Sequence, residues 1–248
     1  MPGRLPIPAD FPSTVKLAIL PPPNIDRPTN VLVLLHGLGD GHESFANLGK
    51  QMNLPETVCI AIRGPKALLD LEGAHWGDDI IFDSSNGGLD ADAGLRESTE
   101  LIKVLINDML VEKCGYAHRE VTLLGYGQGG MCALSTAIAL HQLSNDTTPR
   151  ELGGIISVGG PLPSEAPAAL ISKCKTPVIV CGGSSASAIT STAEEKLKRN
   201  FEHIEIKRYR RSGDRMPSNR DEMMPIMQFL ARRLKSTKGV PEGSIEVA

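Results

Sequence analysis

Short apolar runs alternate along this chain with longer segments whose apolar residues recur every three or four positions. The short runs predict strands that are apolar on both faces, as strands covered on both sides of a sheet must be. The longer segments predict helices between them, the pattern of a mostly parallel sheet with helices on both faces. We predict an α/β fold with strands at residues 14–20, 31–35, 58–62, 121–124, 154–158, 177–181 and 203–209.

Helical periodicity marks three segments. The first covers residues 101–110, and the second covers residues 129–141. The third lies near the C-terminal end, after Ser218. Here Ser218 and Asp221 have the spacing of a capping box, and methionines supply much of the apolar stripe that follows. Pro225 then lies too deep for the first turn, which predicts a kink or a later start of this helix.

One long segment, residues 63–92, has no strong period and contains Trp76, the single tryptophan of the chain. Segments of this length without regular structure are uncommon unless they are functional or disordered. We therefore predict a partly ordered flap near a pocket. No repeat or domain break is visible, so we expect one domain over residues 1–248, with a mobile tail at 239–248.

Composition points to a cytoplasmic protein. Apolar residues make up 41% of the chain, enough for a sizeable core. No apolar run approaches the roughly 18 to 20 residues that span a bilayer, and the N-terminus has no apolar signal core. The five cysteines are odd in number and lack paired spacing, which indicates reduced thiols.

Charge is distributed unevenly. The net charge of −3 argues against a nucleic-acid partner. Residues 196–238 nevertheless carry a local charge of +8, against −11 for the rest of the chain. We expect these lysines and arginines to face water, and the alternative is a surface for an acidic protein or an anionic membrane.

The run Gly125-Tyr126-Gly127-Gln128-Gly129-Gly130 carries the clearest chemical signal. It follows an apolar strand and opens a helix, which is the setting of the nucleophile elbow Gly-x-Ser-x-Gly of α/β hydrolases. The central position here is Gly127, which has no side chain. The sequence therefore predicts an elbow without its nucleophile.

Two further motifs accompany this elbow. Leu35-His36-Gly37-Leu38-Gly39-Asp40 follows an earlier strand, and Trp76 with Asp78 lies in the flap. In this order the three motifs resemble the acyl-protein thioesterase and carboxylesterase family of α/β hydrolases, over residues 31–234. The resemblance implies the α/β-hydrolase fold and cleavage of esters or thioesters by Ser, Asp and His in that chain order.

The same resemblance implies that all three catalytic positions are empty. The serine position is Gly127, and the expected carboxylate position is Ala186. The histidine position falls near Asp214, which we expect to be a charge on a surface loop, and no histidine follows His203. A serine without a histidine and a carboxylate loses most of its catalytic power.

The electrophile-binding half of the family site is predicted to remain. The resemblance places an oxyanion hole at the backbone N–H groups of Leu38 and Gln128, beside Gly127 and with Trp76 at the pocket. We expect an anion-binding niche for a carboxylate or an acyl carbonyl. The alternative is a relic pocket in which Gly127 merely relaxes a strained elbow.

Three functions stay open at this point. The first is a non-catalytic binding or regulatory protein whose ligand is an acyl chain, a carboxylate or an acylated protein. The second is an ester or thioester hydrolase with relocated residues such as His42, His75, Cys132 or Cys181, although we expect both thiols to be buried and inert. The third is a structural subunit. His36 is expected to be structural, and no metal or cofactor is predicted.

Overall fold

A seven-stranded sheet forms the centre of the protein. The computed structural model describes residues 3–23, 25–68, 73–83, 87–145, 147–236 and 239. The strands of the chain are β1 (Leu17–Leu20), β2 (Asn30–Leu35), β3 (Thr57–Ile62), β4 (Lys66–Ala67), β5 (Ala74–His75), β6 (Phe82–Asp83), β7 (Gly88–Leu89), β8 (Val121–Tyr126), β9 (Gly154–Val158), β10 (Val178–Ser185) and β11 (Ile204–Ser212). The central sheet has the order β1-β3-β2-β8-β9-β10-β11, and only β1 is antiparallel to its neighbour. All seven predicted strands belong to this sheet, and the predicted fold class is confirmed.

Within the described ranges, five α-helices connect and cover these strands. They are α1 (His42–Met52), α2 (Arg96–Val104), α3 (Gln128–Gln142), α4 (Ser191–Asn200) and α5 (Arg220–Arg233). A π-helical stretch, Leu105–Lys113, continues α2. The predicted helices at 101–110 and 129–141 are thereby confirmed, the second with one more residue at each end.

The core lies in two layers because successive side chains of a strand point to opposite faces. In β2, Val31, Val33 and Leu35 join the layer that contains the buried residues of α2 and α3. Leu32 and Leu34 join the other layer, with residues of α1 and α5. Each such side chain is almost fully buried and contributes about 1.5–3 kcal/mol of transfer free energy.

The start of α5 differs by one residue from the prediction. Its N-cap is Asn219, whose Oδ1 accepts a hydrogen bond from Glu222 N at 3.0 Å. Glu222 in turn accepts from Ser218 N at 2.9 Å, so the predicted capping box of Ser218 with Asp221 is wrong. The helix starts one residue later than a cap at Ser218 implies, in the direction predicted, but Pro225 still lies inside it and beyond the first turn.

The predicted flap contains some regular secondary structure. Between residues 63 and 92 lie two short antiparallel pairs, β4 with β5 and β6 with β7. The predicted mobile tail at 239–248 falls, apart from Gly239, outside the described residues. In the described parts of the chain, no helix has the length and hydropathy needed to cross a membrane.

Candidate functional site

The elbow after β8 has the backbone of a sharp strand-to-helix turn. Gly127 has φ 49° and ψ −117°, and α3 starts at the next residue. Its N–H donates to Val158 O at 2.8 Å, and its carbonyl accepts from Met131 N at 3.0 Å. A Cβ built on Gly127 would meet no atom within 4 Å. The position that carries the nucleophile in a hydrolase elbow therefore faces open space.

The other elbow glycines are required by close packing. A Cβ on Gly129 would lie closer than 3.0 Å to the carbonyl oxygens of Leu35 and His36. A Cβ on Gly125 would come equally close to the backbone of Gly129. These contacts press α3 against the end of β2, so the loop that contains Leu38 lies beside the elbow.

Two backbone donors of the predicted oxyanion hole have no hydrogen-bond partner among the residues that the structure describes. Gln128 is the first residue of α3, so its N–H has no carbonyl one turn earlier in the helix. The N–H of Leu38 makes no hydrogen bond to any residue that the structure describes. Leu38 is partly exposed, and a helix N-terminus favours negative charge. N–H groups of this kind suit a carboxylate or a carbonyl oxygen.

The side chain of Gln128 has a different role, which sequence reasoning missed. It is buried, and its Oε1 accepts from the backbone N–H of Trp76 at 2.7 Å. Its Nε2 donates to Ala91 O at 3.0 Å. One amide thereby ties two points of the flap to the start of α3.

Trp76 supports the flap from inside the protein. It has no exposed surface, and its indole Nε1 donates to His36 O at 2.9 Å. Its own carbonyl accepts from Ser98 Oγ at 2.5 Å. The prediction that Trp76 stands at the pocket is therefore corrected: it presents no surface to a ligand.

Asp78, the other flap residue of the family motif, caps α2. Its two carboxylate oxygens each accept from a backbone N–H, of Arg96 and of Glu97, at 3.0 Å. Because Leu95 at the N-cap position cannot provide an acceptor, the flap supplies it from a distance in sequence. The hydrogen bonds of Asp78 therefore identify it as a structural residue.

Asp214 joins the loop after β11 to the loop after β10. Its carboxylate accepts from Gly183 N at 2.9 Å, Ser187 Oγ at 2.8 Å and Ala188 N at 2.7 Å. Asp214 lies in a loop as predicted, but it is more than a surface charge, since this partly buried carboxylate accepts three hydrogen bonds. Ala186, the first residue after β10, is exposed with φ 46°.

The Asp214 loop also reaches the elbow. The phenol of Tyr126, the residue before Gly127, donates to Asp214 O at 3.0 Å. Gly159, which follows β9, touches Asp214 so closely that a Cβ there would clash with its side chain. The structure thus brings together the neighbourhoods of Gly127, Ala186 and Asp214. At their junction, a carboxylate is bound by backbone and hydroxyl donors.

His36 and His75, two histidines considered as catalytic bases, are buried. His36 is fully buried, its Nδ1 is 2.7 Å from Gly37 O, and its Nε2 accepts from Gly64 N at 2.8 Å. Burial lowers the pKa of His36 and keeps its ring neutral. Burial, reinforced by the charge of Lys66, also lowers the pKa of His75.

His42 lies at the start of α1, where its Nδ1 is 3.2 Å from Glu43 Oε2. Among the described contacts of His36, His42 and His75, none reaches Gly127. A base that could deprotonate a group at the elbow would need to be within hydrogen-bond reach. No described contact assigns this role to any of the three side chains.

The cysteines are buried and reduced. Burial raises the pKa of Cys132 to about 12 and that of Cys181 to about 11, so both thiols stay protonated at neutral pH. The expectation that they are inert core residues agrees with their zero exposure. Within the described ranges, no group of three metal-ligating side chains comes together.

The mostly parallel sheet, the elbow at its centre and the paired loops above it define an α/β hydrolase. The sequence profile of the phospholipase/carboxylesterase family matches residues 22–234, so the chain belongs to that family.

Relatives and solved structures agree with this assignment. An uncharacterized hydrolase of Schizosaccharomyces pombe is 41% identical over 143 residues, which cover 56% of each chain, so the match spans about half the length of that relative. The crystal structure of esterase PE8 superposes with a TM-score of 0.71 at 23% identity, over 89% of this chain and 99% of that one. Zea mays acyl-protein thioesterase 2 gives a TM-score of 0.62 at 19% identity, over 89% and 99%. At these identities, the two structures show a shared fold.

Proposed function

We propose that this protein is a non-catalytic member of the family that binds a carboxylate or an acyl group at the elbow. The observation that carries the proposal is the engaged carboxylate of Asp214. It accepts three hydrogen bonds at the junction where a histidine and its carboxylate partner would have to lie. With Gly127 at the elbow and Asp214 bound by three donors, the described contacts at this junction include no histidine and no side-chain nucleophile at position 127.

The chemistry of ester cleavage supports the same reading. A serine hydrolase needs a nucleophile, a base that takes its proton and a group that orients the base. Removing members of such a triad leaves roughly 10³–10⁴-fold acceleration over water, from binding and the oxyanion hole. A site that keeps only the backbone donors of Leu38 and Gln128 keeps the binding part of the mechanism.

The ligand class follows from these donors. Two unpaired N–H groups near a helix N-terminus suit a carboxylate or the carbonyl oxygen of an acyl group. The open space over Gly127 can hold a ligand atom where a serine side chain would otherwise stand. Relatives in the family include an acyl-protein thioesterase of Mycosarcoma maydis, which makes an acylated protein one natural candidate. The buried, reduced thiols support a cytoplasmic location.

Turnover and binding measurements test the proposal together. We expect no saturable hydrolysis of p-nitrophenyl acetate or of an acyl thioester, and no labelling by a fluorophosphonate probe. Fatty acids of increasing length should raise the melting temperature, because a ligand at 100 times its Kd stabilises a protein by about 2.7 kcal/mol.

Gly127→Ala provides the matched variant for the binding measurement. Its Cβ meets no protein atom within 4 Å but occupies the space offered to the ligand. We expect the fatty-acid stabilisation to shrink in this variant. Saturable turnover abolished by a substitution at the elbow would contradict the non-catalytic assignment. An unchanged melting temperature with every acyl ligand would contradict the binding site.

A further inference from the structure

The outer edge of β11 is an unpaired strand edge. β11 is the last strand of the central sheet, and its nine residues pair only with β10 on the inner side. No other strand within the described ranges pairs with it. The outward N–H and C=O groups of such a strand are ready to pair with another chain.

Cations without partners line this edge. Lys207 and Arg210 are exposed and make no ion pair with any residue that the structure describes. The same holds for Arg220 at the start of α5. Their neighbours differ: Arg208 pairs with Glu194 at 2.5 Å, and Arg211 pairs with Glu222 at 2.8 Å. Three positive charges are therefore left for an external partner.

A groove of about 700 Å³ runs between this edge and the first turns of α5. Residues 207–210 form one wall, and residues 219–222 with Pro225 form the other. Two carboxylates also line it, those of Asp221 and Glu222, but Glu222 is neutralised by Arg211. The lining keeps an excess of positive charge, in the part of the chain with a local charge of +8.

We propose that this β11 groove binds an extended acidic segment of a partner protein as an added strand. Strand addition gives affinity through main-chain hydrogen bonds to an exposed edge, and side-chain pockets give specificity. The carboxylates of the added segment would lie against Lys207, Arg210 and Arg220. Complementary charge of this kind also speeds association and excludes wrong partners.

Charge argues against a second copy of this chain as the occupant. In an antiparallel pair of two β11 strands, the basic run 207–211 of one copy would lie opposite the same run of the other. Like charges directly opposite each other destabilise a strand pair. Charged side chains on an edge strand prevent this kind of self-association, so the same cations exclude a copy and attract an acidic segment.

The experiment uses the full chain and a fluorescent eight-residue peptide in which pairs of Glu alternate with pairs of Val, so that carboxylates lie on both faces of the added strand. Fluorescence anisotropy should show saturable binding that weakens as salt rises. Lys207→Glu combined with Arg210→Glu should raise Kd at least about tenfold, since like charges then face the peptide. Arg27→Glu combined with Lys50→Glu is the matched control: both residues are exposed, lie outside the β11 groove and receive the same change of charge. This control should leave Kd within about twofold of the unmodified protein.

Backbone pairing has its own readout. Binding should protect amides of β11 from hydrogen exchange, and a peptide N-methylated at alternate residues should bind at least about tenfold more weakly. Equal binding of the N-methylated peptide would overturn strand addition. So would vesicles with 30% phosphatidylserine that bind through Lys207 and Arg210 while the peptide does not bind. None of these results depends on the acyl site at the elbow.

Discussion

Replacing Gly127 with serine separates the geometry of the elbow from its chemistry. The backbone at this position has φ 49° and ψ −117°, which residues with a Cβ adopt at a cost of about 1–3 kcal/mol. A Cβ would meet no atom within 4 Å, so no steric term adds to this strain. We expect Gly127→Ser to destabilise the protein by that amount alone.

Calorimetry and urea unfolding measure this cost. In a chain of this size, each kcal/mol lowers the melting temperature by about 2–4 °C. Gly129→Ala serves as the contrast, because its Cβ would clash with the carbonyl oxygens of Leu35 and His36. We expect that variant to lose clearly more stability than Gly127→Ser. An equal loss in the two variants would show that packing at the elbow is misjudged.

The same serine variant tests the missing base. An isolated serine hydroxyl is a weak nucleophile, and activation requires an adjacent base. Since Asp214 is engaged and no described histidine contact reaches Gly127, the variant should hydrolyse p-nitrophenyl acetate no faster than the unmodified protein. Saturable turnover in Gly127→Ser would refute this reasoning, because it would require a base facing the elbow.

Four further outcomes are expected. Asp214→Ala leaves one donor in β10 and two in the loop after it without their acceptor and should cost about 2–3 kcal/mol in urea unfolding; unchanged stability would show that water replaces the carboxylate. Gln128→Leu leaves the buried N–H of Trp76 unpaired, which should cost about 1–3 kcal/mol, speed exchange of that amide and shift the fluorescence of the single tryptophan. Arg4 lowers the pKa of Asp10 to about 2, so this pair stabilises the fold above pH about 4 and the contribution is lost as pH falls towards 2; Asp10→Asn should flatten the pH dependence of stability in that window. The five thiols should resist Ellman's reagent at pH 8 until the protein is unfolded, and a fast-reacting thiol in the native state would revive the hydrolase alternative.

The elements that sequence patterns predicted well are those fixed by periodic burial. Strands such as β2 and β3 are apolar at every position after the first because both faces are covered, and a run of that kind is visible without a structure. The start of α5 was harder, because Ser218, Asn219 and their acidic partners offer two competing caps one residue apart. The choice of Asn219 coincides with the use of Glu222 as the partner of Arg211, a contact between distant residues.

The candidate site, like the fold, could be predicted from the sequence only in part. The elbow could be predicted because Gly125, Gly127 and Gly129 share a local motif. The roles of Gln128 and Asp214 could not, because their partners lie tens of residues away and no periodicity links them. The role of Asp78 follows from a local feature. Leu95, at the N-cap position of α2, has no side-chain acceptor, so the first N–H groups of this helix require an acceptor from elsewhere in the chain.

The packing of the elbow explains how this fold can hold its shape without a nucleophile. Gly125 and Gly129 are confined by backbone atoms on all sides that a Cβ would reach, so they are needed to join β2, β8 and α3. Gly127 contributes its main chain to the same junction, and its side-chain position projects into open space. The loops that would carry an acid and a base are joined by Asp214 through hydrogen bonds that need no histidine. At the elbow, packing therefore depends on Gly125, Gly129 and main-chain atoms, and a glycine at position 127 leaves these contacts intact. It follows that rebuilding a triad at Gly127, Ala186 and Asp214 would remove a structural carboxylate at the same time as it added a base.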